Sequence, residues 1–183
     1  MADSHYFLGI PLDERIQQQL VLVQEKLRRH PDLAYKNWTH PQDMHITLKF
    51  LGPSADSTIK ELTNSLQQFS QKDCFSLEVK GIGFFGNPQK PRVVWAGVEK
   101  TSPLAALQKQ VDALCQTFGW SPEYRPYRPH ITLAKKWAGT KKVNAPITEE
   151  LALGNLEVER IHLYQIHPSQ TPKYKAIEIV SLK

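Results

Sequence analysis

The sequence predicts an α+β protein made of two similar lobes that face each other across a cleft. Three observations point there. The tetrapeptide His-Ile-Thr-Leu occurs twice, at 45–48 and again at 130–133. The order of element signals repeats around it, each half reading strand, helix, His-x-Thr strand, helix or loop, strand. A Gly- and Pro-dense stretch, 81–91, separates the two runs. A pseudo-twofold between such lobes sets both motif strands symmetrically about the space between them, a favoured place for a ligand. The expected organisation is a single bilobal domain over 1–183, with lobe one at about 1–86, lobe two at about 91–183, and strands free to exchange between them.

Taken in order, residues 6–10 form a short apolar run closed by Pro11 and read as a buried strand. Asp13 caps a helix running to about Arg29, with Ile16, Leu20, Val23 and Leu27 on one face. His30-Pro31 ends it, and 37–43 reads as a loop into a strand at 44–50 that Gly52-Pro53 stops. Ser54 or Asp56 opens a second helix, with Ile59, Leu62, Leu66 and Phe69 inward, and 75–79 alternates as a strand. After the 81–91 boundary, 93–98 is an apolar strand. Ser102-Pro103 then opens a helix with Leu104, Leu107, Val111, Leu114 and Phe118 inward. A loop at 122–129 leads to the second motif strand, 130–135. Residues 136–146 read as a basic loop, 147–153 as a short helix, 157–166 as one strand and 174–182 as the last.

The chemistry lies in the motif. Side chains alternate along a strand, so a His-x-Thr triplet turns an imidazole and a hydroxyl to one face. Ile46 and Leu48, or Ile131 and Leu133, then face the core. A lone His-x-Thr is usually just an exposed strand face; its return in a matching context is what carries meaning. Two imidazoles, His45 and His130, can divide acid and base work near neutral pH. Two hydroxyls, Thr47 and Thr132, can bind the oxygens of an anion held between them. Tyr124, Arg125, Tyr127 and Arg128 interleave rings with cations beside His130, a composition that suits single-stranded nucleic acid. Lys135-Lys136 and Lys141-Lys142 extend a basic rim, and Trp38 is placed to line the cleft or to cover the core.

Composition bounds the rest. Apolar residues are 40% of the chain, and the formal charge of +5 is a mild basic excess that a polyanion would favour. Cys74 and Cys115 lie in unrelated segments and read as reduced thiols of a cytoplasmic protein. The first residues lack a basic n-region, so no signal peptide is expected, and no apolar run approaches the ~20 residues that span a bilayer. His40 with His45, and His162 with His167, are each five apart, but no cysteine or carboxylate cluster accompanies them at zinc spacing. His162 and His167 are expected on a solvated strand face and at its end, and Glu149-Glu150 as a charge pair at a helix end. There is no Gly-rich phosphate loop ending in Lys-Ser or Lys-Thr and no G-x-S-x-G elbow, so the sequence supports neither ATP dependence nor serine hydrolysis.

The two motifs, in the wording Trp38…Met44-His45-Ile46-Thr47-Leu48-Lys49-Phe50-Leu51-Gly52 and Arg128-Pro129-His130-Ile131-Thr132-Leu133-Ala134-Lys135, resemble the two-histidine (2H) phosphoesterases. The branch they are most similar to is the RNA 2′,3′-cyclic phosphodiesterases, first described as 2′–5′ RNA ligases. The likeness covers nearly the whole chain. It implies antiparallel sheets with helices on their outer side and a basic cleft. It also implies no metal or other cofactor. The reaction implied is hydrolysis of a 2′,3′-cyclic phosphate on RNA ends or small cyclic nucleotides to a 2′-phosphomonoester, by a chain acting as a monomer without an obligatory protein partner or membrane. His130 would be the proton acceptor and His45 the proton donor, with Thr47, Thr132, Lys135 and Arg128 on the phosphate and Phe50 stacked on the base. The family usually has Arg where this chain has Lys135, which keeps the charge and loses the bidentate fork. A module that grips RNA termini without turnover is the other class, and 2′–5′ ligation is the same chemistry in reverse. Both imidazoles and both hydroxyls favour the enzyme, since binding alone needs charge but no acid–base pair. Strict alternation, however, turns Phe50 and Lys135 away from the histidines. They reach the site only if each strand twists or bulges near its end. Gly52-Pro53 gives a local reason in the first copy, and the second copy offers none.

Overall fold

A computed structural model describes residues 4–143 and 151–183. Its elements are β1 (His5–Pro11), α1 (Glu14–Arg29), β2 (Tyr35–Trp38), β3 (His45–Pro53), α2 (Asp56–Leu66), β4 (Phe75–Asn87), β5 (Lys90–Val98), α3 (Ser102–Thr117), β6 (His130–Trp137), β7 (Ala152–Val158), β8 (Arg160–Ile166) and β9 (Tyr174–Ser181). Among the described residues, nine strands join in one antiparallel sheet and three α-helices pack their apolar stripes into the core beside it. The class is α+β.

The helices begin where the sequence says. Asp13 accepts from Ile16 N at 2.7 Å and Thr101 from Leu104 N at 3.3 Å, each satisfying a first-turn donor that has no partner inside the helix. Ala55 precedes α2 without a side-chain cap, so neither Ser54 nor Asp56 serves. Ser54 instead donates to Gly52 O. Leu114 and Phe118, expected inside, are only partly buried against the core.

Sheet order is β7-β4-β5-β6-β3-β1-β8-β9, with β2 on the same edge of β6 as β3. The two motif strands, β3 and β6, are therefore neighbours at the centre. Their ladder is one residue pair, Ile46 with Ile131. β1 flanks β3 as β5 flanks β6. The halves exchange outer strands: β4 of the first half joins β5, while β8 of the second joins β1 and carries β9 with it.

Four expectations change. The 81–91 stretch is strand, not linker: β4 and β5 form a long hairpin that turns at Asn87, whose side chain accepts from Gln89 N at 2.9 Å. Gly83 is there because the Trp95 ring lies across it, and a Cβ would overlap that ring. The 37–43 loop splits into β2, which pairs with β6, and a 3₁₀ turn at Pro41–Asp43. The strand expected at 157–166 is two strands, because the chain leaves β4 and crosses to β1 at Glu159. The helix expected at 147–153 falls mostly on residues outside those described, as does Glu149-Glu150; Ala152 and Leu153 are in β7.

Each long helix places one buried polar side chain eleven residues past its cap (13 to 24, 101 to 112) and ties it to the loop before a motif strand. Gln24 donates to Thr39 O at 2.9 Å and Leu133 O at 2.8 Å. Asp112 pairs with the Lys49 ammonium and accepts from Glu123 N at 3.3 Å, while Lys49 also donates to Ser121 O at 2.6 Å. Both ends of the Lys49–Asp112 pair are buried. Removing the carboxylate leaves a cation with few acceptors, so Asp112→Ala is expected to lower stability by about 3–5 kcal/mol in urea unfolding. Lys49→Met added to it should restore most of the loss. An Asp112→Ala protein as stable as the parent would show that the pair does not hold this part of the core.

Candidate active site

Each motif strand slips by one residue soon after its histidine, and that slip sets what the cleft contains; β3 slips again at Leu51. In β3, Lys49 opposes Leu8 and Thr47 opposes Gly9, leaving Leu48 as an extra residue. In β6, Ala134 opposes Val94 and Thr132 opposes Trp95, leaving Leu133 extra. Both bulges fall three residues after the histidine. Two successive residues then point to the core, Leu48 with Lys49 and Leu133 with Ala134. The next residue returns to the histidine's face. Phe50 and Lys135 thus join His45, Thr47, His130 and Thr132 in a cleft of about 390 Å³. This resolves the conflict with strict alternation, and in the second copy the carbonyl of the bulged Leu133 accepts from both Gln24 and Thr39 N.

The Ile46–Ile131 bridge fixes the register of the motifs. Continued one residue either way, it sets His45 across from Thr132 and His130 across from Thr47. Each imidazole is oriented by a carbonyl two residues upstream. His45 Nδ1 is 2.7 Å from Asp43 O, and His130 Nδ1 is 2.8 Å from Arg128 O. A carbonyl only accepts, so each Nδ1 carries hydrogen and each Nε2 is left for the cleft. His45 Nε2 lies 3.0 Å from Thr47 Oγ1.

The two rings differ in surroundings. His45 is packed among Phe7 at 4.5 Å, Tyr174 at 5.3 Å and Tyr164 at 5.9 Å between centroids, and Gly9 lets β1 approach it. This desolvation pushes its pKa down to about 4, against the upward pull of the Asp43 carbonyl and carboxylate; His130 and Lys135 add to the depression. His130 meets Phe85 edge-on at 4.9 Å and Trp95 at 6.0 Å, and burial pushes it down too, opposed by the Arg128 carbonyl. Both imidazoles are therefore neutral in the free protein at pH 7.

Asp43 is the largest omission of the sequence reading. It is buried, and its carboxylate accepts from Lys173 N at 2.9 Å and Tyr174 N at 3.0 Å, at the start of β9. The start of β9 thereby reaches the cleft, where Thr171, Lys173 and Tyr174 form one wall. Nothing local marks these residues, because their partners lie 130 positions away. Partial burial, then Lys173 and Lys136, push the Lys135 ammonium below its ordinary value, against the pull of Asp43.

Other expected residues fall as follows. Trp38 lines the cleft and packs on the core, with the Arg28 guanidinium 4.7 Å over its ring. His40 also lines the cleft. Arg128 gives its carbonyl to His130, but its side chain lines an adjoining groove rather than the cleft. Tyr127 is fixed by a bond from its hydroxyl to Thr47 O at 3.0 Å, whereas Tyr124 is 86% exposed. His162 is half-buried against Tyr164 instead of solvated.

Residues 4–182 match the family described as the AKAP7 2′5′ RNA ligase-like domain. The chain is similar to an RNA 2′,3′-cyclic phosphodiesterase of Bacillus subtilis, at 37% identity over 94% of this chain and 93% of that protein. A protein of the same description from Methanothermobacter thermautotrophicus is 28% identical over 96% and 97% of the two chains. In fold it is similar to Escherichia coli LigT, crystallised with 3′-AMP, with a TM-score of 0.81 at 22% identity over 98% of both chains.

Burial of His45 as a neutral ring has a measurable cost in acid. The unfolded chain takes up its proton near 6.5 and the folded chain only near 4, so stability falls as pH drops between those values and levels off below. The expected loss is at most about 3.5 kcal/mol, at ~1.4 kcal/mol for each tenfold in proton affinity. Urea unfolding of the parent and of His45→Gln across this range is the measurement. The same acid slope in both proteins would place the loss elsewhere.

Proposed function

The chain belongs to the 2H phosphoesterases, in the AKAP7 2′5′ RNA ligase-like domain family, and from this we infer that it is an RNA 2′,3′-cyclic phosphodiesterase, a hydrolase that opens 2′,3′-cyclic phosphates to 2′-phosphomonoesters. The observation that carries the reading to particular atoms is the matched pair of imidazoles, each with Nδ1 held by a carbonyl and Nε2 turned to one cleft. His130 Nε2 takes the proton of a water attacking phosphorus. The P–O3′ bond breaks, and His45 Nε2 gives its proton to O3′. The phosphate stays on O2′, and the two histidines end with their protonation states exchanged. Thr47 and Thr132 hold the phosphoryl oxygens and Lys135 supplies positive charge as theirs grows negative. Phe50, 59% exposed, offers its ring to the base.

Charge state needs an account, because the donor must be protonated and His45 in the free protein is not. An anionic substrate beside it raises its proton affinity, and the Asp43 carboxylate already pulls the same way. The proton thus arrives with the substrate. Arg128, whose side chain lies in the adjoining groove, reaches the phosphate of a longer substrate rather than the cyclic one. The strand order and the matching bulges support reading the two halves as pseudo-twofold copies with exchanged outer strands, in one bilobal domain. Free Cys74 and Cys115 support a reducing, cytoplasmic setting. Among the described residues no helix is long and apolar enough to cross a membrane.

Incubation with 2′,3′-cyclic AMP, followed by phosphorus NMR, tests the reaction: a 2′-phosphate is expected, and a strict 3′-phosphate product would overturn the direction of ring opening. His45→Ala and His130→Ala should each lower kcat by roughly 10²–10⁴-fold, with the double variant costing far less than the product. Full activity in either single variant, with an unchanged melt, would remove the dyad. The pH profile of kcat/KM, which reports the free protein, should be a bell with its maximum below 6.5, since both histidines lie below that value. A rate that climbs steadily to alkaline pH, or that a chelator abolishes and zinc restores, would point to metal-bound hydroxide. Lys135→Ala should cost about 1.5–3 kcal/mol in transition-state stabilisation, Lys135→Arg little, and Lys135→Glu more than Ala. Unchanged kinetics in Lys135→Glu would take Lys135 out of the site.

A further inference from the structure

One wall of the cleft comes from the turn between β8 and β9, and it carries a cation that the reaction above does not use. This is Lys173, which lines the cleft together with Lys135 of β6. We propose that Lys173 is a second catalytic cation: its ammonium and that of Lys135 take two oxygens of the phosphoryl group, the grip that a single guanidinium fork would give. The proposal rests on the reaction assigned above and adds a group to its charge balance.

Placement is the first argument. Lys173 stands just outside β9, yet its backbone is fixed on both sides. Its N–H donates to the Asp43 carboxylate at 2.9 Å, and its carbonyl accepts from His167 N at 2.7 Å. Asp43 lies two residues before His45. The carboxylate that ties down the first motif therefore also sets the point from which the Lys173 side chain departs. The two ammoniums feel each other: after the loss of solvent around it, Lys173 is the foremost cause pushing Lys135 below its ordinary value. Lys136 acts on Lys135 less, and it is not part of the cleft lining.

Charge is the second. Among the described residues Asp43 is the one carboxylate lining the cleft, and its two oxygens accept from the amides of Lys173 and Tyr174. Neither Lys135 nor Lys173 has an ion-pair partner among the described residues. Two like charges are thus held in one cleft, an arrangement that a bound anion relieves. A cyclic phosphate brings one negative charge, spread over two non-bridging oxygens. When water attacks and His130 takes its proton, a second charge enters the phosphoryl group. It stays there until O3′ leaves with the proton of His45. Thr47 and Thr132 donate hydrogen bonds but carry no charge. Lys135 matches the charge the substrate brings, and Lys173 the charge gained in the transition state. An ammonium is a compact point charge without a fork, so two of them do what one planar guanidinium would do.

The test is steady-state kinetics on 2′,3′-cyclic AMP, with 2′-AMP as product inhibitor because its phosphate carries up to two charges. Lys173→Ala should lower kcat about tenfold and leave KM within about threefold, since the second charge exists only in the transition state. The inhibition constant of 2′-AMP should rise about tenfold with it. Lys173→Arg should keep kcat within about threefold of the parent, and Lys136→Ala within about twofold. In a Lys135→Arg protein the fork already holds both oxygens, so adding Lys173→Ala should cost less than about threefold. The same tenfold loss in both backgrounds overturns the shared grip. Parent-like kcat and 2′-AMP inhibition in Lys173→Ala remove the side chain from the site. Lys173→Arg as poor as Ala makes the role structural, and Lys136→Ala as poor as Lys173→Ala makes it a diffuse field; either overturns the proposal while the reaction stands. A parent that leaves 2′,3′-cyclic AMP intact overturns the assigned reaction and this role with it.

Discussion

The cleft depends on one residue too many in each motif strand. Period-two alternation gives a strand two faces and no way to move a side chain between them. The bulges at Leu48 and Leu133 break the period three residues past each histidine. Beyond the break a ring and a cation rejoin the imidazoles, and a core residue is gained as well. In β3 that residue is Lys49, whose ammonium goes to Asp112 on α3; in β6 it is Ala134, in a buried position. The same slip therefore equips the site and anchors the sheet to its helix. A bulge exposes backbone groups that must find partners, and Gln24 supplies one for Leu133 from inside α1.

The second constraint is burial. A histidine enclosed by Phe7, Tyr164 and Tyr174 is held in place, but it is also made a poor base in the free protein. In the proton-donor role proposed for it, a ring reluctant to hold its proton would transfer it readily once charge builds on the leaving oxygen. The carbonyls of Asp43 and Arg128 ensure that the proton sits on the correct nitrogen at that moment. His130, less enclosed, differs from His45 in its surroundings although the motifs are spelled alike. The asymmetry of the two rings thus comes from the neighbours, not from the repeat.

What could be read from the chain was local. The caps at Asp13 and Thr101, the apolar stripes of the helices and the shared face of His45 with Thr47 all follow from spacing within a few residues. Misreadings arose where tertiary partners decide. Gly83 looks like a breaker until Trp95 is seen lying across it. Residues 157–166 look like one strand because nothing in Glu159 announces a change of neighbour. Asp43 reads as a loop residue, yet its carboxylate is committed to the amides of Lys173 and Tyr174. Arg128 sits in the motif but sends its side chain to the next groove.

The exchange of outer strands has a consequence for how the molecule comes into being. β1 and β3 leave the ribosome early, but the strand that pairs with β1 is β8, and the amides that hold Asp43 arrive with β9. The first histidine therefore has its motif long before it has its surroundings. Until the last strand docks, its aromatic enclosure lacks Tyr164 and Tyr174 and its carbonyl support hangs on an untethered turn. Contacts of such sequence separation form slowly and late. A nascent chain thus holds both His-x-Thr motifs before the enclosure of the first is complete.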